Sequence, residues 1–232
     1  MFLQEGEIPR LKINEAIMLF GEEPITLQQM TGLWLACGAD PKGSLDCDSG
    51  LVSHTHVRFR VNLHRTMGRL GAVMRRIKTS VPPLATLGLP EALLTRWAQR
   101  AFGLILITGP TGSGKSTTIA SLLQWMNDNV ARHVVTIEDP VEYIFTNQMC
   151  HFTQRGVGRD TASFASGLRS SLRQAPDVIF LGEIRDYETA LTALQAAETG
   201  HLAVSTMHSE RVADTMERFT NMFPEEQVGH GV

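Results

Sequence analysis

Cysteine is scarce in this sequence and nowhere clustered. Cys37, Cys47 and Cys150 are the only three in 232 residues, and no two form a C-x-x-C. That argues against a disulfide framework or a structural zinc site and fits a reducing compartment. Long apolar runs are also lacking: none approaches the ~20 residues that cross a bilayer. The opening MFLQEGEIPR has neither the basic start nor the long apolar core of a signal peptide. A cytoplasmic protein without direct membrane insertion is expected, with any membrane contact made through partners. Nor is there an excess of positive charge. The formal net charge is -3, so no general polycation exists for nucleic acid, and no nucleic-acid partner is expected. Tandem repeats and low-complexity segments are absent. What remains is globular: 43% hydrophobic and 19% charged residues, in a length that suits one large domain or two small ones.

The organising stretch is Phe102 to Thr118, FGLILITGPTGSGKSTT. Leu104 to Ile107 is an apolar run that suits one buried parallel strand. Gly109, Pro110, Thr111, Gly112, Ser113, Gly114, Lys115 and Ser116 then fit G-x-x-x-x-G-K-[ST], and a helical pattern continues through Thr117, Ile119, Leu122, Leu123 and Met126. Strand, glycine loop and helix together predict a phosphate site. Glycines let backbone N–H groups converge on an anion, and the helix N-terminus adds partial positive charge. Lys115 is expected to reach the β and γ phosphates of ATP, and the Ser116 hydroxyl to hold Mg²⁺.

Residues 1 to about 80 read as a small α+β unit. Pro9 to Phe20 is strand-like. Thr26 with Gln29 resembles a capping box that opens a helix ending at Gly38. Val57, Phe59, Val61 and Leu63 alternate with Arg58, Arg60 and Asn62, which predicts a strand with one apolar face. Val73 to Ile77, carrying Arg75 and Arg76, is a second strand. The arginines form a solvated basic face or touch nucleotide phosphates across a domain or subunit boundary. Thr79 to Leu84 and Gly88-Leu-Pro90 look like a hinge, since paired prolines break both periodicities.

Beyond it, strands alternate with helices: Glu91 to Arg100 helical, His133 to Ile137 a strand, Ser163 to Arg173 a helix, Asp177 to Leu181 a strand, Asp186 to Thr199 a helix, Leu202 to Thr206 a strand, and a last helix capped by Ser209. This predicts a parallel α/β sheet, in which ligands bind outside the carboxyl ends of the strands. The unusual polar residues fall there. Glu183 follows Val178 to Leu181 and a glycine, suiting a general base or water positioner that also holds the metal's water shell. The alternative is a carboxylate paired with Arg185. The aspartate usual directly after the apolar run is missing. Glu142, after the turn at Pro140, is expected in a catalytic or metal-water role, or in a turn-stabilising salt bridge. His201 and His208, at strand borders, are expected to sense the γ-phosphate.

GPTGSGKSTT, TIEDPVEY, LRQAPDVIFLGEIRD and AAETGHLAVSTMHS resemble, in order and spacing, the Walker A, Asp, Walker B and His boxes of the secretion ATPase superfamily. RFRVN at Arg58 to Asn62, AAETGHL at Ala196 to Leu202 and FPEE at Phe223 to Glu226 are most similar to its twitching-motility, pilus-retraction branch of the PilT/PilU type, and the four-cysteine zinc insert usual in extension and secretion motors is absent. The resemblance implies a PAS-like N-terminal domain (1–80), a hinge linker (81–90) and a RecA-like P-loop ATPase domain (91–232). It also implies a homo-hexameric, ATP-hydrolysing motor that works on an inner-membrane pilus platform protein. Lys115 and Ser116 match the family's nucleotide-binding pair, Glu142 the Asp-box glutamate, Glu183 the Walker B glutamate, and His201 and His208 the His-box pair. Arg60 and Arg76 fall where the family places arginines that approach nucleotide. Two other readings remain: an accessory, non-catalytic ring subunit of a pilus or type II secretion machine, and a RecA-like DNA translocase. Family members extend further at both ends, so this chain is expected to be a partial one. Phe180 stands where a smaller aliphatic is customary.

Overall fold

The computed structural model describes residues 1–14, 16–55, 57–77 and 80–223, and the chain divides into two compact units, Met1–Lys78 and Thr79–Val232. In the first unit six strands form one antiparallel sheet: β1 (Phe2–Gln4), β2 (Arg10–Ile13), β3 (Ala16–Leu19), β4 (Cys47–Val52), β5 (Arg58–Thr66) and β6 (Arg69–Arg76), in the order β3-β2-β1-β6-β5-β4. The helix α1 (Leu27–Ala36) starts at the expected box. The Gln29 N–H donates to Thr26 Oγ1 at 3.2 Å, and the Thr26 N–H donates to Gln29 Oε1 at 2.8 Å. Met30 and Trp34, one helical turn apart, bury against Val61, Leu63, Leu70, Ala72 and Met74 of β5 and β6. Val61 and Leu63 thus face the core while Arg60 and Asn62 take the other side, as the alternation predicts.

One expectation for this unit changes. The strand-like stretch Pro9 to Phe20 is a hairpin of two short strands, β2 and β3. The strands β1 and β4 carry no apolar alternation that marks them; β4 reads CDSGLV, and its register comes from pairing with β5.

The second unit contains α2 (Glu91–Ala98), β7 (Gly103–Thr108), α3 (Lys115–Asn129), β8 (His133–Glu138), β9 (His151–Gly156), α4 (Phe164–Ser171), β10 (Val178–Leu181), α5 (Tyr187–Glu198), β11 (Leu202–Met207) and α6 (Val212–Thr220). Its five strands pair in parallel, in the order β7-β11-β10-β8-β9. Successive residues of β10 feed opposite faces. Val178 and Phe180 join Ile119, Leu122 and Leu123 of α3, whereas Ile179 and Leu181 join Leu168 of α4, Ala190 and Ala193 of α5 and Phe219 of α6. Covering on both faces explains why these strands read as unbroken apolar runs. Phe180 is accommodated in the first of these clusters. β9 was not marked by the sequence; its residues HFTQRG are mostly half-buried at the edge of the sheet.

Residues of the expected hinge pack within the second unit. Leu84 is buried in the α2–α3 cluster, with Val81 and Leu87 against it, and Ser121 Oγ of α3 donates to the Pro82 carbonyl at 2.7 Å. The prolines break periodicity there without freeing the chain. At α6 the residue before the helix is Arg211, with no side-chain cap, and the Ser209 hydroxyl bonds the Thr215 hydroxyl instead. Thr215 and Phe219 are buried, while Val212 and Met216 are exposed. From Pro224 onward the FPEE stretch lies outside the described residues. Among the described residues no helix is long and apolar enough to cross a membrane.

Candidate active site

The loop after β7 turns on glycines. Gly114, the residue before α3, has φ +96°, and Gly109 has φ +154° with Ser113 so close that a Cβ would stand 2.6 Å from its Oγ. A side chain at Gly109 would collide with Ser113, and one at Gly114 would be held in a left-handed backbone that L residues rarely adopt. Lys115, the first residue of α3, folds back over the loop, and its Nζ donates to the carbonyls of Gly109 (2.8 Å) and Pro110 (2.9 Å). The same Nζ lies 3.4 Å from Nδ1 of His208.

His208 follows β11, the strand paired with β7, and Glu183 follows β10, the next strand over. His208 Nε2 stands 3.6 Å from Glu183 Oε1, and Arg185 donates through Nε (2.8 Å) and Nη2 (2.7 Å) to Glu183 Oε2. An ammonium can only donate, so Nδ1 of His208 accepts and the ring proton sits on Nε2, facing Glu183. Glu183 raises the Arg185 guanidinium above its ordinary value, through the hydrogen bond first and its charge second. Glu183 thus stands at the rim and pairs with Arg185.

β8 ends in Glu138, and the Asp139–Pro140 peptide after it is cis. The Glu138 side chain is buried. Its Oε1 accepts from Thr136 Oγ1 at 2.7 Å and its Oε2 from the Glu142 N–H at 3.2 Å. Burial pushes this carboxyl up to about 7, against the bonds from Thr136, Glu142 and Gln154 that favour its charge. The turn then reaches α3, where the Tyr143 hydroxyl lies 3.2 Å from Thr117 Oγ1. Glu142 itself is exposed on this turn.

The structure thus brings the loop Gly109–Thr117, Glu183, His208 and the Glu142 turn to one rim. It does not bring His201 there. His201 precedes β11, and its N–H and Nδ1 both lie 3.1 Å from the Ala196 carbonyl. Six residues of strand, roughly 20 Å at ~3.3 Å each, separate it from His208. The expectation of two histidines on one rim fails because they flank opposite ends of one strand. Arg60 and Arg76 belong to the first unit. Arg60 stands opposite Arg75 and pairs with Asp48 at 3.8 Å, whereas Arg76 stands opposite Phe59, so the two lie on opposite faces of that sheet. Sequence reasoning gave no catalytic or binding role to Glu138, Tyr143 or Arg185. Thr136-x-Glu138, two same-face polar residues at the end of an apolar strand, was the signal for the first.

For Mg²⁺, no group of three His, Cys, Asp or Glu among the described residues could hold the ion. A serine hydroxyl supplemented by phosphate oxygens and water is the donor set this ion takes, so Ser116 fits it.

The family of type II/IV secretion system proteins matches residues 49–227. This chain belongs to that family. It is 46% identical over 232 residues to the type IV pilus retractation ATPase PilT of Pseudomonas aeruginosa, covering 98% of this chain and 67% of that protein. It is 38% identical to the type IV pilus ATPase PilU of the same organism, covering 99% of this chain and 61% of that one. Among solved structures, the pilus retraction motor PilT with bound ADP superposes with a TM-score of 0.90 at 39% identity, over 98% of this chain and 68% of that chain. The ATPase DotB of Legionella pneumophila gives 0.83 at 29%, over 98% and 66%. The antiparallel sheet followed by a RecA-like parallel sheet is therefore the arrangement of PilT-like proteins, although the chain spans only 61% of the PilU relative.

Proposed function

We propose that this chain is a motor subunit that hydrolyses ATP with Mg²⁺ and, as a homo-hexamer on the cytoplasmic side of the inner membrane, drives retraction of a type IV pilus through its platform protein. One observation carries the reading: Lys115, His208 and Glu183, from three adjacent strands, stand in contact on the carboxyl rim that also carries the phosphate loop. The higher identity to a PilT retractation protein over nearly the whole chain supports retraction.

In this reading the loop amides and Lys115 bind the β and γ phosphates, Lys115 exchanging its carbonyl partners for phosphate oxygens. Mg²⁺ beside Ser116 supplies charge neutralisation. Glu183 orients the attacking water, with Arg185 fixing one carboxylate oxygen. His208, between Lys115 and Glu183, links the phosphates to that water. Positioning and charge stabilisation are what phosphoryl transfer asks of a protein.

The test is ATP turnover measured against protein concentration beside a sizing measurement. Turnover that rises with a hexamer supports the motor; full turnover by a monomer defeats the ring. Glu183→Ala is expected to bind ATP as the parent does and to lose turnover on the order of 10²-fold or more. Parental turnover in that variant removes Glu183 from the mechanism.

A further inference from the structure

The rim contains a buried acid that the mechanism above does not use. Glu138 closes β8 and lies beneath the turn that carries Glu142. It is 6% exposed. Its two oxygens are spent on separate tasks. Oε1 accepts from Thr136 of its own strand, and Oε2 accepts from the Glu142 N–H, the middle of the turn. Gln154 of β9 secures the next residues: its Nε2 donates to the Tyr143 carbonyl at 2.8 Å, its Oε1 accepts from the Phe145 N–H at 3.0 Å, and it also bonds Glu138. Tyr143, so fixed, places its hydroxyl on Thr117, two residues after Lys115. On the other side Gly182, which precedes Glu183, runs so close that a Cβ would stand 3.4 Å from the Glu138 Cα, and the Gly182 N–H donates to the Ile137 carbonyl at 2.8 Å. Glu138 therefore sits where the turn of Glu142, the head of α3 and the exit of β10 meet.

We propose that Glu138 is a positioning residue for ATP turnover, acting through the Glu142 amide to hold the 139–143 turn against α3. It touches neither the nucleotide nor the water. A buried acceptor is needed because the turn has no strand partner for that N–H, and an unpaired amide there would be costly. The Thr136 hydroxyl can donate or accept, so an amide in place of the carboxyl keeps the arrangement: its oxygen takes the Glu142 N–H and its NH₂ donates to Thr136. This rests on the ATPase reading.

The experiment compares parent, Glu138→Ala and Glu138→Gln in the full chain, by amide hydrogen exchange over residues 139–145 and by steady-state ATP turnover. Glu138→Ala is expected to speed exchange of the Glu142 amide about tenfold or more and to lower kcat about tenfold with KM within about twofold. Glu138→Gln is expected to restore both to within about twofold of the parent. Parental exchange in Glu138→Ala overturns the brace. So does faster exchange with parental kcat, or an equal loss of kcat in the Gln variant. A parent that shows no turnover defeats the ATPase reading itself, whatever the exchange data show.

Discussion

The interiors of the two units are built differently. Among the described residues, the first unit buries only apolar side chains, from Met30 and Trp34 to Met74, whereas every buried polar or charged side chain, Asn127, Thr136, Glu138 and Ser205 among them, lies in the second. The sheets explain the contrast. Antiparallel neighbours such as β5 and β6 return through tight turns like Met67-Gly68, and most of their amides are met within the ladder. A parallel sheet needs crossovers and irregular segments at its strand ends, whose amides must find side chains. Asn127 accepts from the Gln148 and Cys150 N–H groups and donates to the Thr146 carbonyl; Glu138 and Gln154 hold the segment before it. Asn127 and Glu138 therefore mark irregular segments that the second unit fixes through buried polar side chains.

The largest effect that separates the strand ends concerns the two histidines. His208→Ala removes the group between Lys115 and Glu183 and is expected to lower kcat on the order of 10²-fold. His201→Ala removes a side chain that caps the end of α5 on the far side of the sheet and is expected to leave kcat within about threefold. Steady-state ATP turnover of both variants checks the pair. Equal losses would break the link between carboxyl-end position and function.

The buried acid offers a second separation, in stability. Glu138 has its folded-state value raised to about 7 from an ordinary 4.5. Folding therefore favours its protonated form. The stability it leaves to the parent is fullest below pH 4.5 and is lost as pH rises towards 7. Glu138→Gln has no carboxyl to ionise. Relative to the parent it is expected to be similar near pH 4.5 and more stable above pH 7, by at most about 3 kcal/mol. Denaturant unfolding at pH 4.5, 6 and 8 reads this directly. A constant difference across that range would show that the carboxyl titrates alike in the folded and unfolded chain.

Much of the second unit was legible because its strands are continuous apolar runs ending in Gly-Glu, Glu-Asp or Met-His, and a ligand rim collects such endings. The Thr26–Gln29 capping box was legible because it is local in sequence. What was hidden depends on partners distant in the chain. β9 has half-buried residues with no clean alternation, and its place is set by β8. Residues 81–90 look like a linker by proline content, yet Leu84 and the Pro82 carbonyl find α3. The fate of His201 turned on strand direction. Val212 and Met216 have helical spacing, but Thr215 and Phe219 are the residues that find the core.

The smallest effect tests the simpler interior. Thr26 accepts the Gln29 N–H at 3.2 Å, and Gln29 returns an acceptor to the Thr26 N–H at 2.8 Å. Both bonds are exposed, so water substitutes for them in part. Thr26→Ala is expected to cost about 1 kcal/mol, and Thr26→Ser, which keeps the acceptor, much less. Trp34, on the same helix and buried, is the first unit's only tryptophan, so its fluorescence reports the loss beside that of Trp97 and Trp125 in the second unit. The cap involves no titrating group. The loss should therefore be the same at pH 4.5 and pH 8, unlike that tied to Glu138. If the Thr26→Ala difference instead changed with pH across that window, the first unit would contain a buried titration of its own, and the division between an apolar interior and a polar one would not hold.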